Sequence, residues 1–193
     1  LCGLINPSST FEEAFLFQKL LRTLGSNSID HRLFNYSFDS RTDQFESPTL
    51  PYSLNDLTTT PLLIIGNGLD HDEPMLTYRL RQSASSGLPL FQLGWSASKM
   101  NIESLVALKS SPDQLENILS VFLVRLCQKR QVTNDFLADG AKHHEHLPLT
   151  DQQEQFLEQL LALDKLHILL APSIHSCPFA QMIHQRSVNI ASL

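Results

Sequence analysis

Gly94-Trp95-Ser96-Ala97-Ser98 follows an apolar run and has the outline of a nucleophile elbow, with Ser98 where the last glycine would stand. A nucleophilic Ser96 needs a histidine to take its proton and an acid to orient that histidine. His167 and His175 lie downstream, with Asp135, Asp139 or Asp164 as orienting acids. An elbow also needs a helix directly after its serine, and Lys99-Met100-Asn101-Ile102 does not open a long one. A polar loop after a strand is the simpler reading. Gly66-Asn67-Gly68 begins a Gly-x-Gly-x-x-Gly dinucleotide fingerprint, but His71 holds the third glycine position. The second apolar run ends in Leu93-Gly94-Trp95, with no carboxylate for a ribose. Asp70, Asp72 and Glu73 open the next helix, where carboxylates suit the helix dipole and repel a phosphate. The expected cofactor position is closed by charge, and the glycines read as a tight turn.

Two further groups carry ligand chemistry. His143-His144-Glu145-His146 offers side chains that hold zinc or nickel. Adjacent residues rarely converge on one metal, and no second ligand cluster accompanies them, so a solvated loop is favoured. Arg79 and Arg81 could anchor a partner subunit or a cofactor phosphate; more often such residues form a solvated helix face whose stems cover apolar surface. On these grounds no catalytic, cofactor-binding or metal residue is assigned.

The elements that would position these residues centre on Leu57 to Trp95. Leu62–Ile65 is an apolar run and Asp70–Gly87 an amphipathic helix, followed by a second apolar run, Pro89–Trp95. Short apolar runs separated by a helix predict parallel strands buried on both faces, a β-α-β unit. Upstream, Leu1–Ile5 reads as a strand. Ser9 with Glu12 reads as a capping box opening a helix that ends at Gly25, whose apolar side (Ala14, Phe15, Phe17, Leu20, Leu21, Leu24) packs on a sheet. A turn and a brief strand follow within 25–33. Residues 34–59 form a long aromatic stretch, read as a packed cover that ends in one short helical turn at Ser53–Leu57. Downstream, Ile102–Leu108 reads as a short buried strand. Ser111-Pro112-Asp113-Gln114 opens a helix with Leu115, Ile118, Leu119, Phe122, Leu123 and Leu126 on one side. Residues 127–148 are polar and irregular. Thr150 with Gln153 caps another helix, Leu166–Ala171 is the last strand, Pro172–Ser176 turns, and Pro178 starts a final helix. Strands alternating with helices predict an α/β fold: three layers, a mostly parallel sheet and helices on both faces, Rossmann-like, in a single domain over 1–193.

Bulk properties narrow the function. The 193 residues suffice for one domain with a real core, and the start at Leu1 without an initiator Met reads as a fragment of a longer protein. A net charge of -6 without a basic stripe argues against nucleic-acid binding. No apolar run is long enough to span a bilayer. Cys2, Cys127 and Cys177 form no Cys-x-x-Cys pair, which argues against a zinc or iron–sulfur site built from this chain alone.

Several motifs in order are similar to a known family. Ser9-Thr10-Phe11-Glu12-Glu13-Ala14 through Lys19-Leu20, then Leu24-Gly25-Ser26-Asn27-Ser28-Ile29-Asp30-His31-Arg32, resembles the molybdopterin oxidoreductase superfamily. The Asp-His-Arg form resembles one branch, the large iron–sulfur subunit of bacterial NADH:quinone oxidoreductase (respiratory complex I). Leu54-Asn55-Asp56-Leu57, Leu62–Asn67, Glu73-Pro74-Met75-Leu76 and Arg79-Leu80-Arg81 resemble the same branch, with Gly68 replacing its proline. The likeness covers Leu1 to Trp95 well and the remainder weakly. It implies a non-catalytic structural domain, of C-terminal molybdopterin-oxidoreductase type, within an enzyme that passes electrons from NADH to quinone. It implies no cofactor in this fragment, with iron–sulfur clusters in an N-terminal region of the family that this chain does not contain. The implied partners are other subunits of the peripheral arm, on the cytoplasmic side of the bacterial inner membrane, without direct membrane insertion. Two alternatives stand beside it: a fragment of a true molybdopterin enzyme such as a formate dehydrogenase, and a hydrolase using Ser96.

Overall fold

The computed structural model describes residues 1–6, 9–31, 53–96, 100–132 and 148–193. The aromatic stretch at 34–52, Asp135, Asp139 and the His143–His146 loop lie outside the described residues. The chain divides into two compact units, Leu1–Ser37 and Phe38–Leu193.

The first unit is a small β-α-β. Strand β1 (Gly3–Leu4) pairs in parallel with β2 (Ile29–Asp30), and α1 (Phe11–Thr23) connects them. The cap of α1 falls on Thr10, not Ser9: Thr10 Oγ1 accepts from Glu13 N, and Glu13 Oε2 accepts from Thr10 N. Both registers satisfy the Ser/Thr-x-x-Glu rule, and the helix takes the later one. The covered side of α1 is Ala14, Phe17, Gln18 and Leu21, a regular i, i+3, i+4, i+7 set. Gly3 permits this approach, because a Cβ there would lie 2.8 Å from the Phe17 ring. Contrary to the sequence expectation, Phe15, Leu20 and Leu24 are exposed, as are Phe11 and Leu16.

The second unit is a four-stranded parallel sheet with helices on both faces. Its strands are β3 (Leu62–Ile65), β4 (Leu90–Gly94), β5 (Leu105–Lys109) and β6 (His167–Leu170), in the order β5-β4-β3-β6. Its helices are α2 (Leu69–Asp72), α3 (Pro74–Ser85), α4 (Pro112–Arg130), α5 (Asp151–Leu161) and α6 (Ala180–Ala191), with 3-10 turns at Asp56–Thr58 and Pro172–Ser176. The predicted helix over Asp70–Gly87 is broken at Glu73. Pro74 forces its predecessor out of the helical region, and Glu73 sits at φ -130°, ψ 64°.

The two faces follow from the period of a strand. Leu62, Ile64 and Leu90 point to one side and pack with Leu80 and Ala84 of α3, Leu57 and Met100. Leu63, Ile65, Phe91 and Leu93 point to the other side, under α4, α5 and α6. Phe91 meets Phe156 edge to face, with ring centroids 5.9 Å apart. The direction of strand addition reverses after β5, so right-handed crossovers require helices on opposite faces before and after the reversal. The side-chain contacts obey that requirement.

Some boundaries and one cap differ from expectation. β5 begins three residues later than predicted and is an edge strand, with Val106 and Ala107 exposed. Helix α4 runs on to Arg130 and stops where Gln131 adopts a left-handed conformation at φ 54°. Its Ser111 makes no side-chain cap bond. Gln114 instead takes the Ser110 hydroxyl at 3.0 Å, while a bond from Ser111 holds the Asp113 carboxyl below its ordinary range. The capping box at Thr150 and Gln153 forms as expected. Arg125 forks onto both Glu154 oxygens, at 2.5 and 2.8 Å, and holds that carboxyl below its ordinary range.

Among the described residues no helix is long and apolar enough to cross a membrane. Acid is expected to weaken the α6 region. Burial, and next the neighbouring His175, hold the His184 imidazole below its ordinary 6.5. The unfolded chain therefore takes up this proton first, and the contribution fully present above pH 6.5 is lost as pH falls from there through the lower folded-state value. His184→Gln is expected to flatten this part of the slope, read as urea midpoints across that interval.

Candidate functional site

In an open parallel sheet the binding place is outside the carboxyl ends of the strands, where the strand order changes direction. Here that point lies between β3 and β6, which leave the sheet toward opposite faces. Gly66-Asn67-Gly68 extends β3, and Ala171-Pro172-Ser173 extends β6. These segments close the crevice between them. Ala171 N donates to Ile65 O at 2.8 Å, and Asn67 N donates to Ser173 Oγ at 2.8 Å. Gly66, at φ 103°, lies so close that a Cβ would stand 2.9 Å from both Ser173 Oγ and Ile174 Cγ1. Ala171 and Ile174 are fully buried. The Asn67 N–H, the second backbone donor beyond β3, thus already carries a hydroxyl of this chain.

The β3 and β4 ends are tied by one side chain. Asn67 Oδ1 accepts from Trp95 N at 2.9 Å and Ser96 N at 3.3 Å, and Nδ2 donates to Ser96 O at 3.1 Å. Gln92 Nε2 donates to Gly66 O at 3.0 Å. Gly94 admits the Asn67 amide, since a Cβ there would lie 2.7 Å from Asn67 Oδ1 and 2.9 Å from Gly66 O. The glycines of the fingerprint are therefore used for backbone conformation and close approach. Asn67, which reads as the spacer of that motif, is the clamp. Sequence reasoning missed this; the small residues Ala171 and Ser173 after the last strand are its only signal.

The acidic turn stands at the same edge. Asp72 Oδ2 lies 3.3 Å from the position of a Gly68 Cβ, and His71 Nδ1 is 3.1 Å from Asp72 Oδ1. Carboxylate charge over the turn, together with the inserted serine, makes this edge a poor host for a diphosphate.

The other candidates separate. His167 begins β6 opposite Leu62, whereas Ser96 lies beyond the far end of β4, so about three residues of strand rise, roughly 10 Å, already divide the two edges. Asp164 precedes His167 at the same remote edge. His175 does share the carboxyl edge with Ser96, but no hydrogen bond among the described residues joins the Ser96 hydroxyl to a histidine. Arg81 Nε and Nη2 both donate to Met100 O, at 3.2 and 2.9 Å, fastening the segment after β4 onto α3. Arg79 remains on the exposed face. Among the described residues no three His, Cys, Asp or Glu side chains converge as metal ligands.

Asn67→Ala is expected to destabilise the sheet unit by about 2 kcal/mol, since it strips partners from buried N–H and C=O groups. Trp95, the only tryptophan, reports on it directly: its emission should shift to the red as its backbone anchor is lost.

Comparisons with protein-family models and with curated proteins find no match to this chain.

Proposed function

We propose that the chain is a non-catalytic scaffold domain of the large iron–sulfur subunit of NADH:quinone oxidoreductase. The observation that carries the reading is the crevice between β3 and β6, filled by Ser173 and Gly66 and bordered by the acids of α2. Further support comes from the succession of sequence motifs, Leu24 to Arg32, Leu62 to Asn67 and Arg79-Leu80-Arg81, and from the α/β fold of the described residues. In this role the domain carries no step of the electron path. Iron–sulfur clusters belong to another region of the subunit, and the neighbours are other peripheral-arm subunits on the cytoplasmic side of the bacterial inner membrane. The residues at the closed crevice do not fit a pterin diphosphate: it would displace the Ser173 hydroxyl and face Asp70, Asp72 and Glu73. That disfavours a catalytic molybdopterin enzyme.

A scaffold and a catalyst fail differently. Asn67→Ala in the full-length subunit is expected to lower the amount of complex assembled and leave quinone reduction per assembled complex unchanged. Normal assembly with lost turnover would contradict the proposal.

A further inference from the structure

The sheet of the second unit has two edges, and they are not alike. At β6, His167 N donates to Pro61 O at 2.9 Å and Ala171 N to Ile65 O at 2.8 Å, with Leu63 opposite Ile168 and Ile65 opposite Leu170. The backbone groups of a strand alternate in direction, so His167, Leu169 and Ala171 face β3, while Ile168 and Leu170 face outward. Among the described residues no hydrogen bond reaches the backbone N–H or C=O of either. The edge therefore offers two donors and two acceptors at the spacing of a strand. Residues 166–171 include no lysine, acid or proline, the residues that ordinarily blunt an open edge. The opposite edge is blunted. There β5 ends in exposed Lys109, and Leu105 N is turned back onto Ile102 O at 3.3 Å.

Helix α6 overlies the open edge. It packs beside β6, with α4 between it and α5. On one flank of α6, Arg186 approaches Glu116 of α4. His184, Val188 and Ala191 follow at i, i+4 and i+7 on the other flank, turned away from α4 toward the open side. Beneath α6, Ile168 and Leu170 pack against the core and stay half-buried, as does Val188. An uncovered ladder below and an uncovered apolar flank above define the place of one further strand. We propose that this edge accepts an extended strand of a partner protein, which becomes the fifth strand of the sheet. Only a strand presents matching acceptors and donors two residues apart. Its side chains toward α6 are apolar and cover Ile168, Leu170 and Val188. A second copy of β6 does not fit. Two-fold pairing would set the strands about 4.8 Å apart and carry both α6 helices onto one face, where packed helices need about 8–10 Å. The inference is independent of the scaffold reading, since it uses only this edge and the helix above it.

The test is amide hydrogen exchange, followed by NMR on the purified 193-residue chain. The probes are the peptide acetyl-Lys-Val-Thr-Val-Thr-Val-Lys-amide and its counterpart of equal charge with proline at each valine. In the free chain the Ile168 and Leu170 amides should exchange fast and the Leu169 amide slowly. The Val-Thr peptide should slow both outward amides, and the proline peptide neither. Ile168→Pro removes one outward donor and leaves the β3–β6 ladder whole, so it should weaken binding about tenfold, the worth of one backbone hydrogen bond. Val188→Lys, which alters no backbone group, should weaken binding as much by placing a charge over the apolar slot. Ala107 is the matching outward position on β5, because Ser110 N donates to Gly94 O, and Ala107→Pro should leave binding unchanged. Slow exchange of Ile168 and Leu170 in the free chain would show the edge already covered and overturn the proposal. So would unchanged exchange with the Val-Thr peptide, or equal weakening by Ala107→Pro.

Discussion

Gly66→Ala is expected to destabilise the sheet unit by about 2–5 kcal/mol, combining a strained left-handed backbone with overpacking of a closed contact. Gly66 has φ 103°, a region that L side chains rarely adopt. Its absent Cβ would press on Ile174 Cγ1 and Ser173 Oγ at 2.9 Å and on Ala171 Cβ at 3.1 Å. Ile174 and Ala171 are buried beneath the start of α6, so neither has room to withdraw. A loss of this size is a large share of the stability of an ordinary domain, about 5–15 kcal/mol. The urea midpoint should fall while the slope of the transition stays the same. Ser173→Ala makes a useful companion: it removes the hydroxyl from Asn67 N and leaves Gly66 its space. It should cost less than Gly66→Ala, and a reversed ranking would show that crowding is not what closes the crevice.

Arg186→Met is expected to cost about 3–5 kcal/mol, the range for breaking a buried ion pair from one side. Arg186 on α6 approaches Glu116 on α4, with Nε 3.6 Å from Oε1 and side chains only 14% and 8% exposed. Ser120 Oγ donates to the same Glu116 oxygen at 3.2 Å. Removing the guanidinium takes this counter-charge away from a carboxylate buried under α6, where desolvation is costly. The double variant Glu116→Leu with Arg186→Met should recover much of the loss, because two apolar groups of similar size need no counter-charge. Equal loss in the single and double variants would mean that the pair acts through shape alone.

Pattern at the scale of a whole element was legible. Leu62–Ile65 and Leu90–Leu93 are unbroken apolar runs, Gln92 aside, because both faces of the central strands are covered, and all eight positions are buried. Thr150 and Gln153 state their capping box outright. What failed was set by choices between equal local options or by distant partners. Ser9 and Thr10 each have a glutamate three residues on, and only the packed helix selects Thr10. Pro74 splits the acidic helix through the residue before it. The apolar residues of α1 outnumber the side its short strands cover, so Phe15, Leu20 and Leu24 stay exposed where the pattern suggested burial. At the crevice, charge was readable from Asp70, Asp72 and Glu73. The inserted hydroxyl of Ser173 was not, because it lies 106 residues from Asn67 in the chain and meets it only through parallel pairing of β3 with β6.

Metal and cofactor content of the purified chain is the most direct test of the scaffold reading. The measurement combines elemental analysis for iron, molybdenum, tungsten and zinc with the fluorescence of any released pterin. The account predicts none of them in stoichiometric amount. Molybdenum or pterin at one per chain would contradict it, because the Ser173–Asn67 contact and the acidic turn would then have to open around a bound cofactor.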